Sequence, residues 1–93
     1  MRRGDEPETV HQLPIEDSLD LHSFRPADIG SVVEEYVHAA HAAGFAEVRL
    51  IHGRGRGVQR GIVHAALERH PLVAWFADEP ASHLGATVAS LRR

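Results

Sequence analysis

Apolar and polar residues alternate through Leu19-Asp20-Leu21-His22, the spacing of a half-buried strand that sets Leu19 and Leu21 on one face and Asp20 and His22 on the other. Pro26 then fits a first helical turn, with Asp28 near the positive end. Ile29, Val32, Val33, Tyr36, Val37 and Ala40 recur at helical spacing until Gly44 stops the run. Glu47 to His52 predicts a second strand. A second helix is expected from about Val58 to Arg69, with Ile62, Val63, Ala66 and Leu67 facing the core and His70-Pro71 ending it. Val73-Ala74-Trp75-Phe76 reads as a third strand, Asp78 to Gly85 as a loop and Ala86 to Leu91 as a fourth strand. Trp75 and Phe76 are expected to pack in the core or on a sheet face, not to stack on bases.

The order is β-α-β-α-β-β. So short a strand-helix-strand unit implies parallel neighbouring strands with a right-handed crossover, which lays the carboxyl ends of the first two strands side by side. Those ends carry His22 and His52. Ligands of open α/β sheets bind outside such ends, so Asp20, His22 and the turn after Ile51 are expected to share one crevice.

Composition narrows the classes. At 93 residues and 43% hydrophobic content the chain has room for one small domain. With no cysteine there is no thiolate nucleophile, no disulfide and no cysteine zinc site. No run is long and apolar enough to cross a bilayer, and Met1-Arg2-Arg3 leads into acids, so the cytoplasm is the expected location and no membrane partner is indicated. Residues 1–17, charged and interrupted by Pro7 and Pro14, are expected to form a flexible acidic arm whose Val10, Leu13 and Ile15 can still dock; residues 18–93 form the domain.

The formal net charge of −3 argues against a nucleic-acid partner until it is divided. Residues 1–22 hold two arginines against six acids; residues 23–93 hold eight arginines against seven. Between Arg49 and Arg60 there are four arginines and no acid, which concentrates positive charge on the glycine turn. In that turn, His52-Gly53-Arg54-Gly55-Arg56-Gly57, the glycines permit positive φ and close backbone approach, and the following helix aims free N–H groups at the same point. Such a turn suits an anion. The dinucleotide fingerprint is absent, because this is the second strand-helix turn and its glycine spacing is wrong, and no lysine exists for a Walker motif.

Leu19-Asp20-Leu21-His22 followed about thirty residues later by His52-Gly53-Arg54-Gly55-Arg56-Gly57 resembles the small MutS-related (Smr) domain family. Glu47-Val48-Arg49-Leu50-Ile51, His70-Pro71 and Gly85-Ala86-Thr87-Val88 extend the likeness over most of the chain. The resemblance implies a two-layer α/β sandwich with a mixed four-stranded sheet in order 1-2-4-3 and two helices, like the C-terminal domain of bacterial translation initiation factor three. It also implies nucleic-acid binding and, in several members, endonuclease nicking of DNA or RNA, with DNA repair or recombination control as a setting. The family's larger ATPase partners have no counterpart here, so a short stand-alone member is expected. One departure is Ser23, where the family has glycine.

Phosphodiester cleavage needs a base, an acid and positive charge on the developing oxyanion. His22 and His52 are the candidates for the acid and base, with Asp20 orienting an imidazole. Ser23, Gly53, Arg54, Gly55, Arg56, Gly57 and Arg60 are the candidates for holding phosphate. Asp20, His22 and His52 are also compatible with a divalent metal, but no compact metal signature is present and flanking arginines repel a cation, so no cofactor is required. His38, His41 and His64 are expected on the surface, His70 at a helix end and His83 in a loop. The expected partner is structured or branched DNA or RNA. The competing reading is a non-catalytic binding or adaptor module that uses the same cradle; the oligomeric state is left open.

Overall fold

The computed structural model describes residues 15–53, 57–79 and 85–93. Its elements are β1 (Ser18–Asp20), α1 (Pro26–Ala42), β2 (Glu47–Ile51), α2 (Val58–Glu68), β3 (Val73–Asp78) and β4 (Ala86–Leu91). They form one sheet in the order β1-β2-β4-β3, with β1 parallel to β2 and the other neighbours antiparallel. Fold class and strand order agree with the sequence reading. Residues 1–14 of the expected arm and 80–84 of the expected loop, including His83, lie outside the described residues.

Register explains the layering. Leu19, Leu50, Thr87 and Asp78 stand in one row across the four strands, and Val48, Ala89 and Phe76 in another across three. These rows face both helices, and Leu50, Val48 and Ala89 join Ile29, Val33, Val37, Val63 and Leu67 in one buried cluster. The opposite rows, among them Ser18-Arg49-Val88-Ala77, form the uncovered face of the sheet.

Helix ends follow their residues. Pro26 occupies the first turn of α1, and Gly44 at φ +94° closes it: the Gly44 N–H donates to the His41 carbonyl and the Phe45 N–H to that of Ala40. Phe45 then packs against the core. Ile15 also packs there, Tyr36 donates its hydroxyl to the Glu16 carbonyl, and the Arg49 N–H donates to the Asp17 carbonyl (2.9 Å). Residues 15–17, read from sequence as the end of the arm, are therefore attached to the fold.

Trp75 corrects the sequence reading. A bulge between Val73 and Trp75 lets Val73 and Phe76 both face the helices, and this slip turns Trp75 to the uncovered face, where it is 57% exposed. Uninterrupted alternation cannot foresee it.

α2 is fastened to the sheet by polar groups as well as by its apolar stripe. Arg60 donates to Asp78 Oδ2 (2.6 Å), while Asp78 Oδ1 accepts from the Thr87 hydroxyl (2.8 Å) and lies 2.8 Å from His64 Nε2. Desolvation pushes the Asp78 carboxyl upward, but the bonds from Thr87, His64 and Arg60 outweigh it and bring the pKa down to about 2.

Leu50, fully buried on a central strand, offers a direct check of the core. Leu50→Ala is expected to lower the unfolding free energy by about 2–5 kcal/mol in urea denaturation. A loss within error of zero contradicts this packing. Asp78 gives a pH test. A carboxyl depressed in the folded state binds its proton less readily than in the unfolded chain, so its stabilisation is present above the unfolded value and is lost as pH falls through about 2. Between roughly pH 4 and 2 the parent should lose more thermal stability than Asp78→Asn, measured by circular dichroism; parallel curves would refute the assignment.

Candidate functional site

The parallel pairing sets Asp20 beside Ile51, and the Leu21 N–H donates to the Ile51 carbonyl (2.8 Å). The segments carrying His22 and His52 thus leave the sheet at the same edge. A tight turn follows at once, the Phe24 N–H donating to the Leu21 carbonyl (3.0 Å), with exposed His22 and Ser23 at its centre. Asp20 Oδ1 accepts both the backbone N–H of His22 (3.0 Å) and its ring Nδ1–H (2.7 Å). Those two bonds, the backbone one foremost, lower the Asp20 pKa. An ionised carboxylate only accepts, so Nδ1 carries the proton and the neutral ring keeps its Nε2 lone pair. The His22 side chain is 73% exposed.

His52 is placed differently. It continues the core-facing alternation of Val48 and Leu50 and is 6% exposed. Its Nδ1 lies 3.0 Å from the Gly53 carbonyl oxygen and its Nε2 2.9 Å from Thr87 Oγ1. The backbone N–H groups of His52 and Gly53 both donate to the Gly85 carbonyl, at 3.0 Å each. Both polar groups of the Gly53 backbone are therefore engaged within the protein. Gly53 and Gly57, each at φ +90°, supply the left-handed conformations that the turn needs at its two ends. Arg54, Gly55 and Arg56 between them lie outside the described residues.

Gly57 caps α2 without a side-chain bond, and the first turn of that helix carries no acid. The first bond of α2 runs from the Gly61 N–H to the Gly57 carbonyl (2.9 Å), so the N–H groups of Val58, Gln59 and Arg60 have no partner within the helix. They border a cleft of about 410 Å³ lined by Pro26, His52, Gly53, Gly57, Val58, Gln59 and Arg60. Pro26 begins α1, so two positive helix ends converge on this cleft. Gln59 spans the gap, its amide donating to the Phe24 carbonyl (3.4 Å).

Two arginines lie elsewhere than the sequence suggests. Arg60 borders the cleft, but its guanidinium is bound to Asp78. Arg49, expected to add charge to the turn, stands on the uncovered face and pairs with Glu79 at 2.6 Å. A hollow of similar volume there is lined by Asp17, Glu47 and Glu79 around that one guanidinium, a poor place for a phosphate.

His64 was expected on the surface and is instead held between Asp78 and Thr87, edge-on to Phe76 with ring centroids 5.0 Å apart. Arg60 and His64, four apart on α2, both reach the acid at the end of β3, and that spacing was the available clue. His70 is buried just past the helix end: it accepts the Leu72 N–H at Nδ1 (3.1 Å), which leaves Nε2–H to donate to the Glu34 carbonyl (3.3 Å). His38 is exposed as expected, whereas His41 is half-buried, its Nε2 3.0 Å from the Arg92 carbonyl oxygen. Among the described residues no group of three or more histidines and acids is arranged to hold a metal ion.

The family model described as "Smr domain" matches residues 19–92. The chain is 40% identical over 80 residues to Endonuclease MutS2 of Halalkalibacterium halodurans, an alignment covering 84% of this chain and 10% of that protein. It is 36% identical over 76 residues to Endonuclease MutS2 of Thermus thermophilus, covering 80% of this chain and again 10% of that protein. The chain thus spans about a tenth of these curated relatives. The crystal structure of the Smr domain of Thermus thermophilus MutS2 superposes with a TM-score of 0.77 at 34% identity, over 84% of this chain and all of that one. YdaL of Escherichia coli, a stand-alone small MutS-related protein, shares the fold with a TM-score of 0.75 at 24% identity, over all of this chain and 82% of that one. The motif at the end of β1, the glycine turn after β2 and the 1-2-4-3 sheet agree with these matches: the chain belongs to the Smr domain family.

Proposed function

We propose that this chain binds nucleic acid at the cleft between the starts of α1 and α2 and nicks it there by phosphodiester hydrolysis. The supporting observation is the Asp20–His22 pair, solvent-facing, at the sheet edge that also carries the cleft. The relatives named Endonuclease MutS2 support the same reading. The carboxylate fixes Nδ1–H, so Nε2 of His22 is free to take a proton from the attacking oxygen and to return one to the leaving oxygen. Val58, Gln59 and Arg60 line the cleft, and their first-turn N–H groups receive the phosphate, with Gly57 allowing close approach. Arg54 and Arg56, by their place in the turn, add the charge that stabilises the oxyanion, and Ser23 adds a hydroxyl beside His22. DNA and RNA, including structured or branched forms, are the substrate classes, and genome repair or recombination control in the cytoplasm is the setting. No helix among the described residues is long and apolar enough to cross a membrane.

A second reading, a non-catalytic binding module, is favoured by Ser23 in place of glycine and by Arg60 being held by Asp78. Nicking assays on supercoiled DNA, branched DNA and structured RNA decide between them. His22→Ala is expected to reduce cleavage by about 10²–10⁴-fold with binding nearly unchanged. Binding by the parent without cleavage selects the adaptor reading; equal cutting by parent and variant assigns the activity to a contaminant. Cleavage is expected to persist in EDTA, because Asp20 Oδ1 is already committed to the imidazole; strict metal dependence would recast Asp20 as a ligand. Binding that spans several phosphates should weaken steeply with salt, with a logarithmic slope of about −0.7 to −0.9 per phosphate. A slope near one phosphate indicates a mononucleotide site.

A further inference from the structure

The sequence pairs His52 with His22 for proton transfer, but the two imidazoles stand in different surroundings. His22 is open to solvent; both ring nitrogens of His52 are occupied and the ring is buried. We propose that Thr87 and Asp78 are positioning residues that lock His52 as a brace beneath the glycine turn, so that His52 shapes the anion cleft and exchanges no proton with the substrate. The proposal rests on the nuclease reading only where cleavage is the readout.

Proton counting supports it. The Gly53 carbonyl only accepts, so His52 Nδ1 carries a hydrogen and donates it there. At the other nitrogen stands the Thr87 hydroxyl, which has one hydrogen and lies 2.9 Å from His52 Nε2 and 2.8 Å from Asp78 Oδ1. With a neutral ring that hydrogen points to Nε2; with a charged ring Nε2–H donates to Oγ1 and the hydroxyl turns to the carboxylate. Either way His52 keeps both contacts, and Asp78 keeps Arg60 and His64. A hydroxyl is the smallest group able to serve both states, and Thr87 is fully buried, so no water is needed to complete the set.

The far end of this path is the turn. Gly53 is gripped on both sides, its carbonyl by the His52 ring and its N–H by the Gly85 carbonyl, and it holds φ at +90°. Polar contacts thus run from α2 through Asp78, Thr87 and His52 to the residue where the glycine turn begins, the Thr87 hydroxyl hydrogen serving Asp78 or His52 in turn. Any use of His52 as acid or base on the substrate has to break one of two contacts, that of Nδ1 with Gly53 or that of Nε2 with Thr87.

The test uses the full chain and four variants. In the parent, ¹⁵N ring spectra should show His52 protonated at Nδ1 with a hydrogen that exchanges slowly with water, whereas the ring hydrogen of His22 exchanges fast; an unprotonated Nδ1 on His52 overturns the proposal. Thr87→Val should speed amide hydrogen exchange at His52 and Gly53 by about tenfold relative to core amides, and Thr87→Ser should restore the parent rate. Unchanged exchange in Thr87→Val overturns the role of Thr87. If Thr87→Val does not fold, the parent ring spectrum and the cleavage arm still decide. His52→Asn keeps a donor near the Nδ1 position, and its loss should fall on KM with kcat within about tenfold of the parent, while His22→Asn loses about 10²–10⁴-fold in kcat. A kcat loss in His52→Asn as deep as that of His22→Asn, at unchanged KM, makes His52 a proton-transfer residue. A parent that cleaves nothing removes the nuclease reading but leaves the spectroscopic arms intact.

Discussion

The parallel pairing of β1 with β2 brings the Asp20–His22 pair and the start of the glycine turn to one edge of the sheet. Only three residues of β1 are in ladder, and an edge strand so short is not held by its backbone bonds alone. Its register is held by side chains: Leu21 is fully buried, Leu19 packs on the same core, and the Tyr36 hydroxyl reaches back from α1 to the Glu16 carbonyl. Burial, with Asp17 and Glu16 nearby, pushes the Tyr36 pKa up to about 12, so the hydroxyl remains a donor across the physiological range. Slipping β1 by one residue would bury Asp20 and expose Leu21. Correct pairing therefore delivers Asp20 and His22 to solvent beside the end of β2.

Among the described residues, the electrostatics at the cleft are built mainly from the backbone. Arg60 is committed to Asp78, Arg25 lies beside Asp28, and Arg49 stands on the other face of the sheet. What remains among the described residues is the convergence of two helix starts and the first-turn N–H groups of α2, which have no partner within the helix. Backbone donors of this kind cost no side-chain entropy and cannot be neutralised by a neighbouring carboxylate swinging across. Of the apparent arginine cluster, Arg49 and Arg60 are thus tied to carboxylates by the fold.

Periodicity carried the architecture: the helical stripe from Ile29 to Ala40, the strand alternation and Gly44 as a stop were all readable, and so was the adjacency of the two motif-bearing ends. The Asp20–His22 contact was readable too, because i and i+2 on a strand share a face. What was hidden depends on which sheet face each residue meets. Arg49 and Leu50 are neighbours in sequence, yet they point to opposite layers, so counting charges along the chain misplaces the former. Burial of His52 was implicit in the Val48-Leu50-His52 alternation, but its partner Thr87 lies on β4, which comes to flank β2 only through the 1-2-4-3 order. The Trp75 slip needed the bulge, which no alternation rule contains.

Two carboxylate–imidazole pairs at one site invite comparison, because the same residue types are put to different ends by their surroundings. Asp20 contacts His22 directly in water, where solvent screens the pair and the outward nitrogen is free to exchange protons. Asp78 reaches His52 only through Thr87, with the ring sealed against the core and against Gly53. His52 and Thr87 are buried, so removal of either leaves the other unpaired where water does not reach, while Asp78 at the outer end is exposed. That makes the inner set rigid and the outer pair responsive. A small domain gains from the division: the exposed pair is free to move without disturbing the core, and the start of the glycine turn is held by a ring packed in place.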